Sequence, residues 1–439
     1  ISVWTKLDMV NLSRRKSTSD LQKARIGSTI VLAGWVEKSK HLGKLAFLSL
    51  RDREGYAQIV ANKKFMGLQS LKDLTRESVV SVKGKVKTSK AKIGGKELEL
   101  IELEVLSRAE VPLPIEFLGG TVETDMSKRL EYRYLDLRNP KVLAIFKVRS
   151  VMLNAIHKFF RDNDFLEMQT SKISEAGAEG GAELFKLPYF KKTIALNQSQ
   201  QLYKQLIMIS GFEKAYEIGT SYRAEKSHTH RHLTEFWQLD VEMSFIDGIG
   251  EIMKTQEKLL VSVLRAVKKE CKPELELLKA NIDVPKLPFP KISHVDACKL
   301  LKLKQGTDIG TEAERKLGNL VKKKYKTDAF FLINFPENLT KFYAMHDGKI
   351  GRYVDLIYKN NEISSGGQRE HRYDILINQI KNKKLNPKDL EFYTTPFKFG
   401  APPHGGFGMG IDRMLMFILN LPNVREAVLF PRDVERTGP

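Results

Sequence analysis

The period of apolar and polar positions changes along this chain, and the changes divide it. Between residues 28 and 107 apolar side chains recur at alternate positions in five short runs: Thr29–Val36, Lys44–Arg51, Gly55–Ala61, Val79–Lys87 and Leu98–Leu106. Gly, Asp and Lys punctuate the gaps, as they do between strands. Five strands in so short a span, with one helical-looking gap at Phe65–Leu74, predict a small Greek-key β-barrel of the OB-fold kind. Phe47 on the second run and Gln58 on the third then have two readings. They are either a stacking and hydrogen-bonding face for single-stranded bases, or one core ring and one surface amide.

Residues Val111–Glu123 carry Pro112, Pro114, Gly119 and Gly120, a linker composition, and a second domain is predicted to start near Asp125. After Pro140 the spacing turns helical. Val142, Ile145, Phe146, Met152, Ile156, Phe159 and Phe160 mark one buried stripe of a helix over 140–162. Further helices are predicted near 251–269, 374–384 and 411–419, interspersed with strands but without a regular βαβ repeat. The fold class is therefore α+β, with an antiparallel sheet flanked by helices in the second domain. The expected division is 1–107 for the barrel and its basic leader (Arg14, Arg15, Lys16), 108–135 for the linker and 136–439 for the second domain.

Composition narrows the classes. Seventy-three Lys and Arg against 53 Asp and Glu give a formal net charge of +20 over 439 residues, compatible with a nucleic-acid partner or simply with a basic surface. The longest unbroken apolar stretch, Met414–Leu419, is far too short to span a bilayer. No apolar core with a cleavage site follows Ile1, and a cytoplasmic protein is the expectation. Cys271 and Cys298 have no Cys or His partners at ligand spacing, which argues against a disulfide framework or a Cys-rich zinc site.

The densest candidate chemistry lies between Tyr216 and Met243, two strand-like segments joined by a long loop. A period of two puts Arg223 and Glu225 on one face of the first strand, and Phe236, Asp240 and Glu242 on one face of the second. Trp237, Leu239, Val241 and Met243 point the other way, toward a core. An arginine, a ring and carboxylates gathered on a sheet suit a nucleotide; a salt-bridged solvent face is the alternative. His228, His230 and His232 alternate along the loop, a conceivable zinc set without a supporting carboxylate or Cys pattern. Val354–Ser365 reads as a hairpin turning at Lys359–Asn361, on which Asp355 and Glu362 either converge on one Mg²⁺ or remain exposed carboxylates. Gly405–Arg413 reads as a Gly-rich strand running into a helix, with Arg413 in the first turn and neither P-loop nor Rossmann spacing.

Taken in order, Tyr222-Arg-Ala-Glu225 with Arg231-His-Leu-Thr-Glu-Phe236, Gly408-Met-Gly-Ile-Asp-Arg413, Glu362-Ile-Ser-Ser-Gly-Gly-Gln-Arg369 and Gln201-Leu-Tyr-Lys-Gln205 resemble the motifs of class II aminoacyl-tRNA synthetases. From about Gly34 to Asp433 the chain resembles the archaeal and eukaryotic type of aspartyl-tRNA synthetase within subclass IIb. The resemblance implies an N-terminal OB-fold that reads the anticodon and a catalytic domain that activates L-aspartate with ATP and Mg²⁺ and charges tRNA-Asp, with tRNA-Asn open as a second acceptor. It implies a homodimer and no membrane.

By the same resemblance Arg223 grips the α-phosphate of ATP, Phe236 and Arg413 sandwich the adenine, His232 faces the terminal phosphates, and Glu225 belongs to the ATP site. Asp355, Glu362 and Ser365 match the Mg²⁺ site. Glu179, Ser199, Gln201 and Asp240 surround the amino acid's α-amine, and Lys204 and Arg369 clasp its side chain. Phe47, Gln58 and Glu97 match anticodon-reading positions. Phe236-Trp237 is similar to asparaginyl enzymes, whereas Lys204 favours aspartate, since a neutral asparagine would leave the two cations without a counter-ion. A non-catalytic RNA-binding paralogue is opposed by the retention of Arg223, Glu225, Asp355, Glu362 and Arg413. The chain also departs from the pattern. It has Asp164 where a glycine is usual, Ser171 and Gln200 where prolines are usual, Glu37 at a barrel position often aromatic or His, and an altered ending over Pro431–Pro439.

Overall fold

The computed structural model of the chain describes residues 12–62, 65, 70–89, 95–117, 124–174, 184–224, 226 and 229–438. It separates into two compact units, residues 1–116 and 117–439.

The first unit is a closed barrel of β1 (Thr29–Leu42), β2 (Leu45–Asp52), β3 (Gly55–Ala61), β4 (Val79–Thr88) and β5 (Lys96–Ser107), in the order β1-β2-β3-β5-β4. All neighbours run antiparallel except β3 and β5. Alternation does the sorting. Leu32, Val36, Leu48, Leu50, Ile59, Val80, Val82 and Val86 fill the interior, while Phe47 and Ser49 point outward and stay half-buried. Of the two readings of Phe47, the core ring is thereby excluded. A short helix, Thr18–Lys23, is stapled to the β2–β3 turn by Thr18, whose amide and hydroxyl both donate to Asp52, and it drops Leu21 into the barrel core. Residues 66–69 of the expected helical gap at Phe65–Leu74 lie outside the described residues; Ser70–Asp73 forms a 3₁₀ turn.

In the second unit β6 (Leu166–Glu167), β10 (Lys214–Tyr222), β11 (Glu235–Ser244), β12 (Lys291–Ser293), β13 (Ala329–Pro336), β15 (Ile350–Tyr358), β16 (Asn361–Gln368) and β17 (His404–Gly410) form one sheet. Its order is β12-β13-β15-β16-β17-β11-β10-β6, with β14 (His346–Asp347) beside β15. The centre is antiparallel as expected, and only the outer pairs β12–β13 and β6–β10 are parallel. A separate small sheet joins β7 (Ile173–Ser174), β8 (Lys186–Tyr189) and β9 (Lys192–Leu196) in the order β7-β9-β8.

Helices Pro140–Arg161, Ile249–Glu270 and Ile411–Leu419 pack on one face of the large sheet, against Leu239, Val241, Met243, Val354, Leu356, Phe407 and Met409. The first begins as its sequence dictates. Asn139 caps it by accepting from the Lys141 amide, and Pro140 occupies the first turn, where no amide partner is needed. It ends three residues before Asp164, whose φ of +62° lies in the left-handed region that glycine adopts more readily. Trp237 departs from the expected pattern. It shares the side of Leu239 and Val241 yet is 41% exposed, because at this end of β11 the helical layer no longer covers the sheet.

Candidate active site

The face of the sheet opposite the three helices is polar, and its floor is built by glycine. A Cβ on Gly406 of β17 would lie 1.9 Å from the Val241 carbonyl oxygen, and one on Gly367, its partner on β16, would lie 2.5 Å from the Arg352 carbonyl oxygen. Strands this close leave main-chain carbonyls bare. Arg369, immediately after β16, donates to the Gly406 oxygen at 2.9 Å, and Lys204, from the helix Gln201–Ile209, donates to the Phe407 oxygen at 3.0 Å.

Two carboxylates of β11 hold those cations. Lys204 Nζ lies 2.9 Å from Asp240 Oδ1 and 3.6 Å from Glu242 Oε2, and Arg369 makes a two-pronged pair with Glu242 at 2.9 and 3.2 Å. All four side chains are buried. Burial alone would push the Glu242 carboxyl up; Arg369 and Lys204 outweigh it and hold it below its ordinary range. Such a cluster is stable only as a whole, since removing one member leaves a buried charge without its partner. Beside it His404 is also buried, and desolvation pushes its imidazole down to about 4.

Above this cluster opens a cavity of about 270 Å³. The loop before the helix Gln201–Ile209 contributes Ser199, and the helix itself Gln201; β11 contributes Phe236, and the first turn of Ile411–Leu419 contributes Arg413. Arg223, one residue past β10, places its guanidinium 5.2 Å from the centre of the Phe236 ring. His232 and Arg369 also line the cavity. Asp412 anchors this end, accepting from the Trp237 amide at 2.9 Å and from Arg149 at 2.6 Å.

Glu362 and Ser365 of β16 line the same space. The hairpin carrying them turns on Lys359 and Asn360, both with positive φ, the geometry of a two-residue β-turn. A bulge between Leu356 and Ile357 resets the register, so that Asp355 faces Ser365. Asp355 is half-buried, and its Oδ1 is shielded from solvent without a hydrogen-bond partner. Burial and then the Glu362 charge push its carboxyl well above the usual range. Two mutually repelling carboxylates, one with an unmatched oxygen, fit a hard divalent cation such as Mg²⁺. Among the described residues no group of three or more His, Cys, Asp or Glu is arranged to hold a metal. His232 is instead hydrogen-bonded to Thr229, and His228 lies outside the described residues.

Three residues named from the sequence sit elsewhere than the cavity wall: Lys204 and Asp240 lie in the cluster beneath it, and Asp355 behind Glu362. Glu179 and Glu225 fall outside the described residues. Two further carboxylates belong to the site without having been singled out for it. Glu242 pairs with Arg369, and Glu314, from the helix Thr311–Tyr325, accepts the Glu362 amide at 2.6 Å. Burial, then Glu362, pushes the Glu314 carboxyl up to about 7. Alternation did put Glu242 on the polar face; Glu314 carries no local signal, because its partner lies 48 residues further along.

On the barrel, Ser49 and Gln58 are cross-strand neighbours, and a polar row runs outward from them. Ser49 donates to Glu37 at 3.1 Å; Gln58 and Ser89 both donate to Glu97, at 2.8 and 3.0 Å. Glu37 sits at a bulge in β1, and Phe47 is two positions from Ser49 on the same face. Flat bases stacked on the ring would meet fixed acceptors and donors at their edges.

Comparison with known proteins gives a consistent picture. Residues 125–434 match the family of class II tRNA synthetases for D, K and N, and residues 30–106 match the OB-fold nucleic acid binding domain. The chain is 43% identical to the aspartate–tRNA(Asp) ligase of Pyrococcus horikoshii, over 97% of this chain and all of that protein. It is 41% identical to the aspartate–tRNA(Asp/Asn) ligase of Methanopyrus kandleri, over 96% of this chain and 99% of the relative. Among solved structures, the asparaginyl-tRNA synthetase of Pyrococcus horikoshii complexed with asparaginyl-adenylate superposes with a TM-score of 0.89. There the identity is 33%, with 97% of this chain and 99% of that one covered.

Proposed function

The chain belongs to the class II tRNA synthetases of the D, K and N group, with an OB-fold nucleic acid binding domain before the synthetase domain, and on that footing we propose that it is an aspartate–tRNA ligase. The reaction has two steps. The α-carboxylate of L-aspartate attacks the α-phosphorus of ATP and displaces diphosphate, giving aspartyl-adenylate; the terminal ribose hydroxyl of the tRNA then attacks the mixed anhydride and releases AMP. No protein nucleophile is needed, so catalysis rests on charge neutralisation and alignment of two anionic substrates.

Arg223 neutralises the α-phosphate, and its approach to Phe236 leaves a cation and a ring side by side for the phosphate and the base. Arg413 covers the opposite face of the adenine, His232 meets the terminal phosphates and Glu225 completes the ATP site. Mg²⁺, held by Asp355, Glu362 and Ser365, supplies positive charge to the phosphates when bound. Ser199, Gln201 and Glu179 receive the α-amine, with the Asp240 carboxylate beneath them adding negative charge. The observation that carries the choice of amino acid is the buried Lys204–Asp240–Glu242–Arg369 cluster. Arg369 is its one member on the cavity wall, so the side-chain pocket ends in a guanidinium braced from behind, with Lys204 adding positive potential. A carboxylate satisfies that guanidinium, whereas an amide offers it less charge and turns an N–H₂ toward cations.

Phe47 and Gln58, half-buried on the outside of the barrel, and Glu97, buried against Gln58, receive the anticodon of tRNA-Asp. Relatives named for tRNA(Asp) and for tRNA(Asp/Asn) both match, so the second acceptor is decided by charging both transcripts. A homodimer is supported by the exposed apolar residues Leu187, Tyr189 and Phe190 of the small sheet, and a reducing cytoplasm by two free, buried cysteines. No helix among the described residues is long and apolar enough to cross a membrane.

ATP–diphosphate exchange with aspartate and asparagine in parallel tests the reading. Exchange with aspartate alone is expected; exchange with asparagine alone moves the enzyme to the sister specificity, and exchange with neither overturns the assignment.

A further inference from the structure

We propose that Gln200 is a positioning residue for the amino-acid pocket: its side chain completes the open edge of β10 and thereby fixes Ser199 and Gln201 on either side of it. The inference rests on the reading of those two residues as amino-acid contacts, and it concerns a residue that does not itself line the cavity.

The edge is open because β6 pairs only with Ala215 and Tyr216, leaving the last residues of β10 without a neighbouring strand. Residues 220 and 222 direct their main-chain groups to that side, and the chain satisfies both with one loop. The Tyr222 amide donates to the Asn197 carbonyl at 2.9 Å, and the Gln200 side-chain amide donates to the Thr220 carbonyl at 3.0 Å. The other end of the same side chain accepts from the Ser221 hydroxyl at 3.2 Å. A primary amide has the donor and acceptor of a peptide group, so Gln200 stands in for the missing strand.

Its surroundings admit no substitute. Gln200 is completely buried, and a Cβ on Gly219 would meet its Nε2 at 3.0 Å, Lys172 Nζ at 3.0 Å and Glu217 Oε1 at 2.7 Å. Without the amide, the Thr220 carbonyl and the Ser221 hydroxyl lose their partner in a space already packed with polar groups. Gln200 also caps the helix that follows: its carbonyl accepts the Lys204 amide at 3.0 Å, tying the same residue to the start of the ion cluster. Two hydrogen bonds thus set the height of the turn from which Ser199 and Gln201 reach inward.

The test uses the full chain, with L-aspartate and ATP titrated separately in diphosphate exchange. Gln200→Ala is expected to raise KM for aspartate tenfold or more while KM for ATP stays within twofold. Gln200→Glu, which keeps an acceptor for Ser221 but loses the donor for Thr220, is expected to fall in between and covers the case in which the alanine variant does not fold. Because φ at position 200 is −77°, within reach of a proline ring, Gln200→Pro is expected to recover part of the aspartate affinity by stiffening the turn. Unchanged aspartate KM in the alanine and glutamate variants, or equal rises for aspartate and ATP, overturns the proposal. Ser199→Ala and Gln201→Ala separate the two levels. If neither alters aspartate KM, the pocket assignment fails; if both do and Gln200 variants do not, only the bracing role fails.

Discussion

The outer face of the barrel and the floor of the cleft are both rows of carboxylates held by hydrogen bonds, yet they are built on opposite economies. On the barrel, Glu37 is half-buried and Glu97 is buried, and both are bonded to neutral groups, Ser49, Gln58 and Ser89. In the cleft, Asp240 and Glu242 are bonded to Lys204 and Arg369, and none of the four touches water to any extent. The first arrangement can exchange one side chain at smaller cost, because removing a neutral partner strands no second charge. The second behaves as a unit, because removing either cation leaves a buried charge unmatched. The barrel face is therefore open to piecemeal variation, whereas the cluster is not.

The strongest way to break the contrast is to remove Arg369. Arg369→Ala leaves Glu242 buried beside a single lysine, and a stability loss on the order of 3–5 kcal/mol is expected with aspartate activation abolished. A denaturant midpoint close to wild type would show that the cluster is not cooperative. Arg223 sits at the edge of the cavity and outside the cluster. Arg223→Ala is expected to lower diphosphate exchange by about 10²–10³-fold, with the melting temperature nearly unchanged.

The two economies also differ in their response to acid. His404 is held at about 4 against an ordinary 6.5, so the unfolded chain takes up the proton first as pH falls. Its contribution is fully present above pH 6.5 and is lost as pH falls from there toward 4, a total of about 3 kcal/mol at 1.36 kcal/mol per pK unit. Glu242, held low, adds loss in the same direction at still lower pH. Unfolding followed from pH 7.5 to 4.5 should show the synthetase domain weakening, and His404→Gln should flatten that slope. The smallest effect belongs to the barrel. Gln58→Ala removes one of the hydrogen bonds to the Glu97 carboxylate and is expected to slow tRNA charging by roughly fivefold, about 1 kcal/mol, without altering diphosphate exchange. An equal fall in both activities would remove the barrel face from RNA reading.

Much of this was legible in the chain. Pro140 and the spacing after it mark the long helix, Lys359-Asn360 marks the turn that carries Glu362, and the glycines before Arg413 mark a strand entering a helix. Period-two alternation sorted Leu239, Val241 and Met243 from Asp240 and Glu242. It misplaced Trp237, because alternation assigns a face but not how far the covering layer extends. It also could not show depth. Lys204 reads as a pocket residue and lies beneath the pocket, since a lysine on a short helix over bare carbonyls sinks as far as its partners allow. Glu314 was invisible for a different reason: its helix is mostly polar and exposed, and its fourth residue meets a strand that follows much later.

The glycine floor has a consequence for anyone who would retrain this enzyme on a new amino acid. With the nearest carbonyl 1.9 Å from a Cβ at Gly406, that position offers no alphabet to a mutant library; every other residue there wedges the sheet apart. The layer beneath the ion cluster is written in peptide rather than in side chains, and it is read identically whatever is selected above it. A change of diet must come through Arg369 on the wall, Lys204 beneath it and the loop carrying Ser199, and because the first two share Glu242 as a counter-ion such changes have to arrive together.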